Sequence, residues 1–328
     1  MSEIKIQKWV GGAEFHLTQV PQPSVVEGER LVEMHVAAVC GSDRHTVLGR
    51  RSGACPSILG HEGVGVIVEG PGRGKRVVFS VTSVCGECDF CTRGLSAKCV
   101  NVLKVGHESF EESWPLSGTY ASHIVLPTGV SVVEVPASIP DGAAAIAGCS
   151  VATVMATLEA AGTLDGKTVF INGLGMLGLV AVAAAFDRGA ASVEVFDPSA
   201  ERMNQAIALG AHAKNAEQKV DIALEYSGAA AGVTSVIRSL DIGGTAVLAG
   251  SVAPAGNIDI DPEWMVRGWR TVTGVHNYEP HHLQEAVDFL EKATLPWDEL
   301  LSGPISLEEL GTEFAHPHDG LRTLVTMN

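Results

Sequence analysis

The first 140 or so residues alternate short β-branched, apolar runs with Gly and Pro. Leu31–Val39, Gly63–Val68, Arg76–Ser80 and Ala121–Leu126 are β-rich pieces at irregular spacing. That pattern predicts a compact β domain with loops rather than a layered α/β unit. From about Asp141 the texture changes. Ala143–Ala161 is alanine-rich and contains no Pro, which predicts a helix joining two domains. Strands and helices then alternate: TVFIN, a glycine-rich turn, VAVAAAF, VEVFD, AERMNQAIALG, DIALEYSG, a helix through Val233–Leu240, TAVLAG and TVTGV. Near-continuous apolar strands between helices indicate a parallel sheet covered on both faces. His281–Lys292 reads as one more helix, followed by a short return segment.

One connection in this second half is short. After a strand near Ala211–Lys214, about seven residues precede the strand beginning at Asp221. Parallel crossovers normally take a dozen or more residues, usually with a helix. In a 3-2-1-4-5-6 strand order the chain must cross three spacings of about 4.8 Å and climb back about 17 Å, roughly 22 Å in all. Seven extended residues reach about 23 Å. The crossing therefore leaves no room for a helix.

Composition narrows the function classes. A chain of 328 residues exceeds the size at which single cores stop growing, so two domains are expected. A net charge of −16 argues against a nucleic-acid partner, which needs clustered basic charge. No apolar run reaches the roughly 18 residues of a membrane span, and MSEIKIQKWV lacks the apolar core of a secretory signal. The expected location is the cytoplasm. There, grouped cysteines more often bind metal or do chemistry than form disulfides, and four of the seven cysteines lie close together.

The glycine-rich turn is Gly173-Leu174-Gly175-Met176-Leu177-Gly178, between the strand TVFIN and a helix. The first glycine permits the tight turn, the second lets backbone approach a pyrophosphate, and the third lets helix and strand pack closely. VEVFD ends in Asp197, 24 residues after Gly173. A carboxylate there accepts from both ribose hydroxyls of NAD and repels the 2′-phosphate of NADP. Pro198 and Ser199 follow, with no basic residue at once, so NAD is favoured. Arg202 joins the expected cofactor contacts.

Cys85-x2-Cys88-x2-Cys91-x7-Cys99 supplies four thiolates on one excursion, the pattern of a closed, structural zinc site. A nucleic-acid-binding zinc ribbon is the rival; neighbouring Glu87 and Asp89 oppose it. A second set is dispersed: Cys40 in CGSDRH, His61-Glu62 in GHEGVG, and Cys149 in GCS. Singly, each would more often be a packed residue. Together, Cys, His and Cys form the ligand set of a catalytic zinc with an open fourth position, where an alcohol becomes acidic enough to lose its proton. Glu62 is either a residue behind the ligands or an occasional ligand. Asp43 is placed to orient the His61 imidazole, and Ser42 and His45 offer a proton path to solvent.

GHEGVGVIVEG, the cysteine run, GLGMLG and the trailing Asp197 together resemble the zinc-containing alcohol dehydrogenases of the medium-chain dehydrogenase/reductase type across nearly the whole chain. The resemblance implies an α/β protein: a GroES-like β-rich catalytic domain from 1–150 and 277–328, flanking a Rossmann NAD-binding domain at 151–276. By matching position, Cys40, His61 and Cys149 look like catalytic zinc ligands, Ser42 and His45 like the proton relay, and Cys85, Cys88, Cys91 and Cys99 like the structural lobe. Thr153 looks like a nicotinamide neighbour. Gly250, Ser251, Val252 and Val275 resemble backbone contacts to the cofactor's carboxamide side, and Arg322 resembles the basic residue that reaches cofactor phosphates or ribose. Relatives are usually dimers or tetramers. GSVAPAG…VTGVHNY and KVGHES…SGTYASHIVLP resemble a narrower bacterial subgroup associated with phosphonate catabolism. The chain departs from the general pattern at Gly41, basic in some relatives, and is shortened after Gly70 and before Asp221.

The implied activity is reversible hydride transfer between NAD and an alcohol or carbonyl compound, secondary or functionalised, with two zinc ions per chain. The reading from a different class is a non-catalytic NAD- or redox-sensing protein on the same fold; zinc content and turnover separate the two. For the substrate, Arg44, Arg50 and Arg51 suit an anionic tail such as a phosphonate, or are simply solvated. Glu111, Glu112 and Trp114 point instead toward neutral or apolar alcohols.

Overall fold

The structure, a computed structural model, describes residues 3–254 and 256–327; Ala255, inside the GSVAPAG phrase, lies outside them. The chain divides into two compact units. One takes the described residues up to Ala152, with Glu279–Lys292 and the residues from Pro296 onward; the other is Thr153–Tyr278 with Ala293–Leu295.

In the first unit, Glu3–Gly11 pairs antiparallel with Glu14–Pro21 on one side and Ser57–Ile58 on the other. A larger, eight-stranded sheet is built around Arg30–Ala38, Glu62–Glu69 and Arg76–Ser83. The strand Arg322–Thr326 returns from the far end of the sequence and pairs antiparallel with Arg30–Ala38, Leu324 opposite Ala38 and Thr326 opposite Val36. Segments from early and late in the sequence thus share one sheet. Its core is formed by residues such as Ile4, Leu31, Ile58, Phe79, Tyr120, Ile124 and Val325.

The second unit is a six-stranded, all-parallel sheet in the order His212–Ala213, Ser192–Phe196, Thr168–Asn172, Val220–Glu225, Leu240–Leu248, Thr271–Gly274. That is the Rossmann order, and the crossover over residues 214–219 contains no helix. Val169, Phe170 and Ile171 are fully buried, because helices such as Met176–Asp187 and Ala230–Ser239 cover the sheet.

The continuous helix expected over Ala143–Ala161 is not continuous. Asp141–Ala145 is α-helical, Ala147–Val151 is one π-helical turn, and Ala152–Ala161 is α-helical again. A Cβ on Gly148 would stand 2.3 Å from the Phe79 carbonyl oxygen, so the widened turn lies directly against the strand Arg76–Ser83. Such turns cost regularity and recur where a side chain must be re-aimed. This one carries Cys149.

Candidate functional site

The glycine turn adopts the conformation its sequence requires. Gly173 has φ +90°, and a Cβ there would meet the Ser227 backbone nitrogen at 2.5 Å. A Cβ on Gly178 would stand 2.0 Å from the Gly173 carbonyl oxygen, whereas Gly175, at the start of the helix Met176–Asp187, faces open space. Helix and strand are locked together while one backbone segment stays open for a phosphate group. Asp197 Oδ2 accepts from Leu174 N–H at 2.8 Å, tying the acidic residue to the turn itself, and Arg202 Nη1 lies 3.8 Å from the same oxygen. Gly250, Ser251 and Val252 follow the strand Leu240–Leu248, and Val275 N–H donates to the Leu248 carbonyl at 3.0 Å. These residues lie past the carboxyl ends of parallel strands, where open α/β sheets bind ligands. Thr153 lies at the start of Ala152–Ala161.

Glu225, which no sequence motif marks, ends the strand Val220–Glu225 and is fully buried. Its Oε1 accepts from the Ser227 N–H at 2.7 Å, the Gly228 N–H at 3.0 Å and the Ser227 hydroxyl. Because Ser227 is the backbone against which Gly173 packs, Glu225 shapes the wall of the turn. The EYSG ending of that strand was its only trace in the sequence.

In the first unit, Cys40, His61 and Cys149 bring their ligand atoms within 4.8 Å of one another. Cys40 precedes the short helix Gly41–Val47, His61 precedes the strand Glu62–Glu69, and Cys149 comes from the π turn. Asp43 Oδ1 stands 3.1 Å from His61 Nδ1, in ion-pair rather than hydrogen-bond geometry. Nε2 is left facing the cluster, 3.2 Å from Ser42 Oγ. Asp43 Oδ2 is itself held by the Cys40 N–H at 3.1 Å and the Tyr120 hydroxyl at 2.8 Å. Tyr120, another residue without a sequence signal, is fully buried, and burial followed by the Asp43 charge raises its pKa well above the usual value. It therefore remains a donor to Asp43.

The donors fit zinc. Tetrahedral Zn–S and Zn–N bonds place such atoms roughly 3.5–3.8 Å apart. The hydrogen bond from Cys149 lowers the Cys40 pKa, burial opposes this, and Arg322 and His61 add to the lowering, so a thiolate is favoured. Among the described residues no fourth ligand joins the set, which leaves the open position a catalytic zinc needs.

Glu62 does not join the ligands. Its Oε1 accepts from Ser150 Oγ at 2.6 Å and its Oε2 from Arg322 Nε at 2.8 Å, both inside the core. Arg322 Nη2 also donates to Ser150 Oγ at 2.8 Å and to Cys40 Sγ at 3.5 Å, and Nη1 to the Leu321 carbonyl at 2.9 Å. Where the sequence directed Arg322 to the cofactor, the structure gives its guanidinium partners behind the metal ligands. His45 Nδ1 is buried without a partner, and no hydrogen bond joins it to Ser42.

Cys85, Cys88, Cys91 and Cys99 form the second cluster, with Sγ–Sγ separations of 3.5 Å for Cys88–Cys91 and Cys85–Cys99. A tetrahedral Zn–S4 site needs about 3.8 Å. Backbone N–H groups of Cys85 and Asn101 point at Cys99 Sγ at 3.4 and 3.3 Å, as thiolate ligands require. The set is closed, which is the structural form.

The remaining candidates separate clearly. Arg44 is committed to Glu313, Nη2 to Oε1 at 2.5 Å, and is not a free anion contact. Arg50, Glu111 and Glu112 are exposed. Trp114 is buried, donates to the Val125 carbonyl at 2.7 Å, and lines a cavity of about 370 Å³ with Pro23, Leu103 and Leu116, which includes no metal ligand. No helix among the described residues is long and apolar enough to cross a membrane.

Known proteins resemble this chain in sequence and in fold. Residues 26–137 match the alcohol dehydrogenase GroES-like domain, and 177–292 match the zinc-binding dehydrogenase family. The chain is 30% identical over 351 residues to the NDMA-dependent alcohol dehydrogenase of Amycolatopsis methanolica, covering 94% of each. It is 30% identical over 298 residues to the L-threonine 3-dehydrogenase of Pyrococcus furiosus, covering 82% of this chain and 81% of that one. The crystal structure of an alcohol dehydrogenase from Thermotoga maritima superposes with a TM-score of 0.92 at 26% identity, over 99% of this chain and 100% of that one. Likeness of that extent, in sequence and in fold, has one reading: the chain belongs to the zinc-binding alcohol dehydrogenases of the medium-chain dehydrogenase/reductase family.

Proposed function

We propose that this protein oxidises a secondary or functionalised alcohol, and in reverse reduces the corresponding carbonyl compound, by hydride exchange with NAD. The observation that carries the proposal is the convergence of Cys40, His61 and Cys149 with no fourth protein ligand among the described residues. Bound zinc supplies polarisation of the substrate oxygen, and bound NAD supplies the hydride acceptor. The chain's own residues do the rest. Asp43 holds the His61 ring, with Nε2 turned to the cluster. Ser42 Oγ, beside that nitrogen, is the first proton acceptor in this reading, and His45, with its unpartnered Nδ1, is the second. Gly173–Gly178 takes the pyrophosphate and Asp197 the ribose, with Thr153, Arg202, Gly250–Val252 and Val275 as further cofactor contacts.

The subgroup resemblance makes hydroxyalkyl phosphonates the first functionalised alcohols to try. We place the protein in the cytoplasm, as a homo-oligomer. Exposed Ile242, Val266 and Trp269 support a second copy packing on the Rossmann unit.

The test is nucleotide absorbance with NAD and a panel of secondary alcohols and hydroxyalkyl phosphonates, alongside zinc content by mass spectrometry. Turnover with two zinc ions per chain is the expected result. NADH binding with no turnover of any alcohol would favour the sensing reading instead.

A further inference from the structure

The rotamer of an aspartate does not fix the plane of its carboxylate, because the terminal torsion is broad. For Asp43 the plane is fixed from outside. Oδ2 takes two donors, the Cys40 N–H at 3.1 Å and the Tyr120 hydroxyl at 2.8 Å. Oδ1 is the oxygen that faces His61 Nδ1, at 3.1 Å. The Cys40 donor is three residues away along the chain, whereas Tyr120 is 77 residues away. The orientation of Asp43 is thus a tertiary property.

Tyr120 also holds the main chain that carries His61. Its N–H donates to the Leu59 carbonyl at 3.1 Å, and the Thr119 N–H donates to the Gly60 carbonyl at 3.0 Å. Gly60, the residue before His61, has φ +90°. A Cβ there would meet Cε1 and Cδ1 of the Tyr120 ring at 2.8 and 2.9 Å, so the ring is pressed against this turn. Tyr120 is itself well anchored. Its carbonyl accepts from the Gln7 N–H at 2.9 Å, in the strand Glu3–Gly11, and its ring meets Phe314 edge-on with centroids 6.1 Å apart. One fully buried residue therefore holds His61 by its backbone and, through Asp43, by its ring.

We infer that Tyr120 is a positioning residue for the catalytic zinc: its hydroxyl fixes the Asp43 carboxylate, which fixes the His61 imidazole as a ligand. The inference rests on the zinc reading of Cys40, His61 and Cys149 and adds a residue that touches neither metal nor substrate. Outer partners of ligating histidines typically govern about 10–100-fold in metal affinity.

The experiment uses Tyr120→Phe, which removes the hydroxyl and keeps the ring against Gly60 and Phe314. Zinc release from the zinc-loaded protein to a chromogenic chelator is followed in time. The phase belonging to the catalytic ion is the one missing in Cys40→Ala. That phase should accelerate by about tenfold in Tyr120→Phe, while the phase of the four-cysteine lobe and the affinity for NADH stay as they are. In an Asp43→Ala background the same hydroxyl deletion should change the rate by less than about twofold, because it acts through the carboxylate. Cobalt(II) in the catalytic site gives a readout that needs no second substitution. Its visible bands follow ligand geometry and should shift in Tyr120→Phe.

An unchanged release rate with unchanged cobalt bands overturns the inference. So does a tenfold effect that persists in Asp43→Ala, which would assign the hydroxyl to packing around Gly60. A wild-type protein that holds one zinc instead of two overturns both this inference and the dehydrogenase reading. Failure to turn over any alcohol, with the Tyr120→Phe effects as expected, supports the positioning role and overturns the dehydrogenase reading alone.

Discussion

Arg322 Nε donates to Glu62 Oε2 at 2.8 Å, and both side chains are closed off from solvent. The pair joins the last strand of the chain to the strand that follows His61, directly behind the Cys40 thiol. Removing one member leaves the other charge buried, which costs roughly 3–5 kcal/mol. Arg322→Met should therefore lower the urea midpoint of the zinc-loaded protein far more than Glu62→Gln, which keeps an acceptor for the guanidinium. Equal, small losses would mean that the pair is not sealed from water.

The two metal clusters should fail differently. Cys40→Ala is expected to abolish turnover, reduce zinc from two ions per chain to one, and leave NADH binding nearly intact. Cys88→Ser should also remove one zinc, but show itself first as a lower thermal midpoint, because the lobe has metal in place of an apolar core. Zinc analysis, fluorescence titration with NADH and thermal melts separate the two cases.

Asp197 is predicted to exclude NADP. Replacing it with Ser removes a negative charge beside Arg202, which is 45% exposed and 3.8 Å away. The preference for NAD over NADP should fall by about tenfold or more, the effect of roughly 1.4 kcal/mol of lost like-charge repulsion. Kinetics with both nucleotides will show it; an unchanged ratio would place discrimination elsewhere.

Glu225→Ala frees the Ser227 and Gly228 N–H groups that its Oε1 accepts from. With roughly 1–3 kcal/mol at stake for such bonds, the NADH dissociation constant should rise by about tenfold. Glu225→Gln, which keeps one acceptor oxygen, should recover most of the affinity. Fluorescence titration tests both.

Glu313 provides a pH signature. Burial raises its pKa, but hydrogen bonds with His318, Thr323 and Arg44 outweigh burial and lower it. A depressed carboxyl pKa stabilises the fold above the unfolded value of about 4.3 and loses that contribution as pH falls through the folded value. Glu313→Gln should cost roughly 1.5–3 kcal/mol at neutral pH. The gap from wild type should close progressively below about pH 4 in urea melts.

How legible the site was depended on what kind of order each residue expresses. The cysteine run and GLGMLG are local: their ligands or glycines lie within one short excursion, so spacing alone carries the geometry. Cys40, His61 and Cys149 are far apart, yet each sits in a short phrase whose company gave it away. Glu62 was ambiguous because an acid next to a ligand can turn either way, and only the positions of Ser150 and Arg322 decide it. Tyr120 and Glu225 gave no usable signal. One is an aromatic in a β-rich stretch and the other an acid ending a strand, both ordinary until their partners are known.

Local pattern determined the two-domain plan, the parallel sheet, the helix-free crossover and the chemistry of both metal sets, because period, glycine placement and ligand spacing act over a few residues. The tertiary structure decided the rest. It broke the Ala143–Ala161 helix with a π turn at Cys149, sent Arg44 to Glu313, and turned Arg322 behind the metal ligands. Each of those outcomes depends on which buried groups must satisfy one another across hundreds of residues, a condition that exists only once the chain has folded.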